Sequence, residues 1–292
     1  MSDAAPGPAL ERVGVVGCGL MGSGIAEVCA KAGVDVVVRE IDDESVAAGR
    51  VRIEGSLEKA RRHGKLSDAD AESAMSRLRF TTDLGDMADR DLVVEAVPES
   101  EALKLEVFAA LDKVMADGAI LASNTSSIPI MKLATATDRP ESVIGLHFFS
   151  PVPVLKLVEL VSSLLSDPAV ADRAEAFAEQ VLDKRVIRCK DRSGFIVNAL
   201  LIPYIVSAIR MLESGFATAE DIDAGMVLGC NHPMGPLALA DFIGLDTTMA
   251  AAQSLYDEFK EPLYAPPPLL ARMVVGGLLG RKSGRGFYAY DT

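Results

Sequence analysis

The stretch from Val13 to Gly24 limits what this chain can fold into more than any other. An apolar run, Val13, Val15 and Val16, leads into Gly17-x-Gly19-x-x-Gly22, and apolar residues recur at helical spacing at Leu20, Met21, Ile25, Val28 and Cys29. The pattern is strand, tight turn, helix. Gly17 permits the turn, Gly19 lets a pyrophosphate approach the backbone and Gly22 lets helix and strand pack closely, while free N–H groups at the helix start meet the anion. A glycine turn alone says little, because such turns are common. Here a second apolar strand, Val34 to Arg39, ends at Glu40, 18 residues past Gly22, where an acid accepts ribose hydroxyls. Strand, turn, helix and acid together mark a dinucleotide site, with Gly17, Cys18, Gly19, Leu20, Met21, Gly22 and Glu40 as its contacts. Glu40 favours NAD over NADP because a carboxylate repels the extra phosphate. Arg39 and Arg50 read as solvated arginines.

The chain has 292 residues, enough for a large core and two domains. A net charge of −13 argues against a nucleic-acid partner. The N-terminus, MSDAAPGPAL, reads as a short tail without the apolar core of a signal peptide. The most apolar stretch, Phe195 to Ile209, is too short to span a membrane. Four cysteines (Cys18, Cys29, Cys189, Cys230) show no metal-ligand spacing, so no metal is expected and a reducing cytoplasm fits. One segment runs against the acidic average: Ser45 to Leu66 holds Arg50, Arg52, Lys59, Arg61, Arg62 and Lys65 against Glu54 and Glu58, a net of +4. Charge runs are commonly solvated helix faces. This one could also dock a polyanionic small molecule.

Short apolar runs alternate with helical patterns: Asp91 to Val97, a helix over Glu101 to Met115, then Ala119 to Ser123. Such alternation indicates a parallel sheet covered by helices. Further strands are expected at Val143 to Phe149, Leu155 to Val161 and Arg185 to Cys189, with a helix over Pro168 to Leu182. Beyond Asp191 the character changes. Ser193 is expected to cap a long helix ending at Gly215, and helical spacing continues to the end. The expected organisation is an α/β domain over 1–190 followed by an all-helical domain over 191–292.

Hydride chemistry needs a group that takes or returns a hydroxyl proton. Of the three histidines, His63 lies in the basic segment and His232 precedes Pro233, and both suit surface or structural roles. His147 ends a strand on the side where open α/β sheets bind ligands. In HFFSPVPVLKLVE the prolines Pro151 and Pro153 break two apolar runs. A fold about residue 153 would set His147 opposite Glu159, their Cβ atoms roughly 4.5 to 5.5 Å apart. Glu159 would then orient the imidazole and stabilise its protonated form. The hydroxyl cluster Ser123 to Ser127, after an apolar run, offers partners for a substrate oxygen. Asn198, in the otherwise apolar FIVNALLIPYIV, needs a hydrogen-bond partner, since an unsatisfied buried amide costs roughly 1 to 3 kcal/mol. Tyr256-x-x-x-Lys260 imitates a reductase pair but lies far from the glycine turn, so it reads as a helix face.

These residues resemble the 3-hydroxyacyl-CoA dehydrogenase family. The likeness runs through GVVGCGLMGSGIAEVCA, LVVEAVPE, ASNTSS, GLHFFSPVPVLKLVELV, DRSGFIVNALLIPY, NHPMGPLALADFIGLD and KSGRGFY. It implies a Rossmann-type N-terminal domain, a helical C-terminal domain supplying most of a homodimer interface, and NAD-linked oxidation of (S)-3-hydroxyacyl-CoA, short-chain substrates included. It assigns His147 as catalytic base, Glu159 as its partner, and Ser126 and Asn198 as substrate-positioning residues. It adds Glu99, Lys104, Asn124, Ser126 and Ser150 to the NAD contacts, and implies CoA contacts at Ser56, with Arg61 or Arg62 where some relatives use a lysine and this chain has His63. Ser150 replaces the usual asparagine of HFFNPVPV. Two other functions fit the same scaffold: a dehydrogenase of free hydroxy acids, and a non-catalytic NAD-binding protein.

Overall fold

The structure, a computed structural model, describes residues 9–290. The N-terminal tail read from the sequence falls almost wholly on residues 1–8, outside the described residues. The chain forms two compact units, the first ending at Asp191 and the second beginning at Arg192.

The first unit is a sheet of β1 (Arg12–Val16), β2 (Asp35–Arg39), β3 (Leu78–Thr81), β4 (Leu92–Glu95), β5 (Ile120–Ser123), β6 (Val143–Phe148), β7 (Leu157–Ser162) and β8 (Arg185–Lys190). The strand order is β3-β2-β1-β4-β5-β6-β7-β8. The first six strands are parallel, β7 runs antiparallel to β6, and β8 is parallel to β7. Its order reverses at β1 and β4, the crevice where doubly wound sheets hold dinucleotides. The helices are α1 (Leu20–Lys31), α2 (Asp43–Arg62), α3 (Asp68–Ser76), α4 (Glu101–Val114), α5 (Ile130–Ala134) and α6 (Pro168–Ala176). Strands such as Leu92–Glu95 and Val143–Phe148 are buried at every position, which is why they read as continuous apolar runs. One core cluster joins Ile25 of α1, Ile53 and Leu57 of α2 and the strand residues Val36, Leu92, Ile144 and Leu160.

Three elements went unread in the sequence, α3, β3 and the short α5. β3 is a four-residue edge strand, LRFT, with only Leu78 buried, so it carries no apolar run. The helix expected over Pro168 to Leu182 is α-helical only to Ala176 and continues as a π-helical turn over Phe177–Val181.

The second unit is helical: α7 (Val197–Glu213), α8 (Ala219–Cys230), α9 (Pro236–Ile243), α10 (Leu245–Phe259) and α11 (Pro268–Val275). Its core gathers Ile205, Ile209, Leu237, Ala240, Leu245 and Leu270. Buried Asp241 accepts hydrogen bonds from the Phe287 and Tyr288 N–H groups and the Tyr290 hydroxyl, pinning the C-terminal segment to α9. Ser193 does not cap α7. Gly194 and Phe195 both take positive φ, which delays the helix to Val197, and the Ser193 hydroxyl pairs instead with Ser254. Tyr256 and Lys260 end α10, where the ammonium pairs with Asp257 at 2.9 Å, an ordinary helix terminus. Among the described residues no helix is long and apolar enough to cross a membrane, and no cluster of three His, Cys, Asp or Glu forms a metal site.

Candidate active site

The glycine turn follows β1. Gly17 has φ +91°, and a Cβ there would lie 2.7 Å from the Ala96 carbonyl oxygen. At Gly22 a Cβ would lie 1.8 Å from the Gly17 oxygen, so the third glycine is set by contact within the turn itself. At Gly19 a Cβ would meet nothing within 4 Å, leaving room above the turn. α1 has no acidic residue in its first turn and no side-chain cap. Its first N–H groups therefore suit an anion. Glu40 sits beside this turn, its carboxylate accepting from Cys18 N–H at 2.5 Å and from Ile41 N–H at 3.0 Å. The Cys18 thiol is buried, and desolvation, with the nearby Glu40 charge, pushes its pKa up to about 12. It stays neutral at the turn. The residues present fit a dinucleotide.

At the ends of β4 and β5 lies a network that the sequence only half disclosed. Glu95 ends β4 opposite Ser123 of β5. Its carboxylate accepts from Ser123 Oγ at 2.6 Å, Lys104 Nζ at 2.6 Å and Val97 N–H at 2.7 Å. Lys104, only 1% exposed, also stands 3.3 Å from Glu99 Oε2. Glu99 in turn accepts from the Thr125 hydroxyl, the Ser126 N–H at 3.0 Å and the Ser127 hydroxyl at 3.1 Å. Burial pushes the Glu99 carboxyl pKa up, but Lys104 and these donors outweigh it and hold it below the ordinary value. Lys104 is thus a bridge between two carboxylates. Glu95 was quoted in LVVEAVPE but not singled out, although an acid closing a buried strand is a legible signal.

Removing that ammonium leaves Glu95 charged and buried without a cation, a loss of about 3 to 5 kcal/mol. Lys104→Met is therefore expected to lower the thermal midpoint sharply, and Glu95→Gln in the same chain to restore much of it. Calorimetry of the two variants checks this. A Lys104→Met protein as stable as its parent would show that the pair carries no such weight.

β6 and β7 form the hairpin, with His147 opposite Glu159 in the antiparallel register. His147 Nδ1 lies 2.7 Å from Glu159 Oε2, and both side chains are buried. A carboxylate accepts only, so Nδ1 carries the proton and Nε2 of the neutral ring carries the lone pair. The Phe149 ring packs 4.6 Å from the imidazole, and Phe148 N–H donates to Asn124 Oδ1 at 2.9 Å, tying the end of β6 to the loop after β5. The turn between the strands is held from below. Lys184, buried, donates to the carbonyls of Val152 (2.6 Å) and Leu155 (2.7 Å). Desolvation, with Lys156 and Lys31 nearby, keeps its pKa below the usual lysine range. Nothing in the sequence distinguishes this lysine from a solvated one at a strand start. Ser150 is exposed in the same turn.

The remaining sequence-derived residues lie on α2 or in the other unit. Ser56 is half-buried on α2. Arg61 is exposed and already engaged, pairing with Asp68 at 2.7 Å and Glu58 at 2.9 Å, and Arg62 pairs with Glu58 at 3.3 Å. Asp68 lies just past the segment whose charge was counted, so the local excess is smaller than the tally. Asn198 is the second residue of α7, half-buried, and not in the helix interior; the desolvation argument for it weakens accordingly. His232 packs edge-on against Tyr204, whose hydroxyl is 3.2 Å from Nδ1, a pair within the second unit.

Residues 12–192 match the model of the 3-hydroxyacyl-CoA dehydrogenase NAD-binding domain, and residues 194–290 match that of the same family's C-terminal domain. A 3-hydroxybutyryl-CoA dehydrogenase of Mycobacterium tuberculosis is 61% identical over 97% of this chain and 99% of its own length. The crystal structure of M. tuberculosis FadB2 superposes with a TM-score of 0.96 at 60% identity, covering 97% of this chain and 100% of that one. The (S)-3-hydroxybutyryl-CoA dehydrogenase of Ralstonia eutropha gives 0.93 at 45% identity over the same shares.

Proposed function

The chain belongs to the 3-hydroxyacyl-CoA dehydrogenase family, and from that premise we propose that it interconverts short-chain (S)-3-hydroxyacyl-CoA, 3-hydroxybutyryl-CoA above all, and the 3-oxoacyl-CoA, with NAD. The observation that carries the site assignment is the buried His147–Glu159 pair at 2.7 Å. In oxidation, Nε2 of His147 takes the proton of the C3 hydroxyl. Glu159, bonded to Nδ1, stabilises the imidazolium this creates and fixes the ring's orientation. NAD, when bound, supplies the hydride acceptor; Gly17 to Gly22 and Glu40 would hold its pyrophosphate and adenosine ribose. Glu99, presenting Ser126 through its backbone N–H, positions the loop that resemblance assigns to substrate and nicotinamide. Asn198 completes the assigned set by resemblance only.

The thioester class is supported by the relatives. Steady-state rates over C4 to C16 3-oxoacyl-CoAs, with NADH and NADPH, test it, beside free acetoacetate. Acetoacetyl-CoA with NADH should lead by a wide margin. Equal rates with free acetoacetate would favour a hydroxy-acid dehydrogenase, and no oxidation of NADH by any thioester would favour a non-catalytic NAD-binding protein. For assembly the reading is a homodimer through the second unit, supported by its exposed Leu200, Phe216, Leu228 and Val275. Light scattering should give twice the chain's 30.9 kDa; a monomer would reject it.

A further inference from the structure

Cys18, in the middle of the glycine turn, is held through both of its backbone groups. Its N–H goes to Glu40, and its carbonyl accepts from Arg52 NH1 at 3.1 Å. The second contact comes from α2, which packs against the turn at Gly49: a Cβ there would fall 2.6 Å from Cys18 Sγ. Arg52 lies three residues further along the helix, hence on the same face. Its situation differs from that of its neighbours on α2. Arg61 and Arg62 are paired with carboxylates, and the Arg50 guanidinium lies over the Phe80 ring at 4.5 Å. Arg52 has no carboxylate within salt-bridge distance among the described residues, and its side chain is exposed. A guanidinium has five N–H donors. One bond to a carbonyl leaves most of them, and the whole charge, beside a turn built to face phosphates.

We propose that Arg52 is a positioning residue for the cofactor turn and a cationic contact for the dinucleotide's phosphates, holding the Cys18 carbonyl while Glu40 holds the Cys18 N–H. The assignment rests on the reading of this chain as an NAD-binding enzyme. Glu40 places a negative charge next to the turn, where it repels any phosphate. Arg52 offsets that charge locally, and its bond to the carbonyl resists rotation of the Cys18–Gly19 peptide, which would turn the Gly19 N–H away from the anion. The basic segment on α2 is therefore divided in use: Arg52 serves the cofactor turn, whereas Arg61 and Arg62 are engaged by Glu58 and Asp68.

The test is direct titration of NADH by its fluorescence, without substrate, for wild type, Arg52→Leu and Arg52→Lys. Arg52→Leu should bind NADH about 10-fold more weakly, the scale of one lost charge-assisted hydrogen bond, with Arg52→Lys between the two. Raising salt from about 50 to 500 mM should narrow the gap, because the phosphate contribution is screened. The KM for acetoacetyl-CoA and the melting temperature of the cofactor-free protein should hardly move, since the side chain is exposed. Unchanged NADH affinity in Arg52→Leu overturns the proposal, as does a rise in thioester KM alone, which would assign Arg52 to the substrate. Failure of the wild type to bind NADH would instead reject the function on which the proposal rests.

Discussion

Replacement of His147 by glutamine is expected to cut turnover of acetoacetyl-CoA with NADH at least about 100-fold, the usual scale of an acid–base contribution. Glutamine can still donate an amide N–H to Glu159, so the buried carboxylate keeps a partner and the fold should persist. What is lost is a nitrogen able to carry a proton to and from the C3 oxygen. Glu159→Gln attacks the same device from the other side: it preserves volume but removes the charge that stabilises the imidazolium and that compels Nδ1 to be the donor. Its turnover should fall by a similar factor, with NADH affinity little changed in both variants. Combining the two should cost little more than either alone, because the residues act as one unit. Near-normal turnover in a folded His147→Gln protein would eliminate the mechanism.

Gly22→Ala is expected to weaken NADH binding by one to two orders of magnitude or more and to lower stability by about 1 to 3 kcal/mol, the scale of an overpacked site. The added methyl would stand 1.8 Å from the Gly17 carbonyl oxygen and 3.3 Å from Ala96 Cβ. Backbone has no rotamer with which to yield. Either α1 moves away from β1, taking its N–H groups from the phosphates, or the turn opens and the Cys18 peptide leaves Glu40 and Arg52. The contrasting control is Gly19→Ala, where the methyl meets no protein atom within 4 Å. That variant should fold normally and fail only in binding, since its methyl would occupy the space left for the cofactor. Equal NADH affinity in wild type and both variants would show that the turn does not hold the dinucleotide.

Much of this was legible because local sequence is dictated by local physics. Gly17 is required by its positive φ and Gly22 by a contact inside the six-residue turn, with the Gly17 oxygen. Buried parallel strands such as Ile120–Ser123 appear as apolar runs because both of their faces are covered. The His147–Glu159 register followed from symmetric spacing about a proline-broken turn. β3 was illegible because an edge strand needs no apolar pattern, and the start of α7 was misplaced because positive φ at Phe195 leaves no mark in composition. Arg61 looked free along the chain and proved to be engaged, its partner Asp68 having come from the next helix.

The sequence by itself determined the dinucleotide turn, the acid that follows it, the change from α/β to helical character near residue 190, and the pairing of one imidazole with one carboxylate. Only the tertiary structure decided that Lys104 lies between Glu95 and Glu99, that Lys184 carries the hairpin turn on its ammonium, and that Arg52 reaches the Cys18 carbonyl. The physical reason is range. Turns, strands and hairpins answer to neighbours a few residues away, whereas a charge is satisfied by whichever partner the fold carries to it, and that partner's position is not written beside it in the chain.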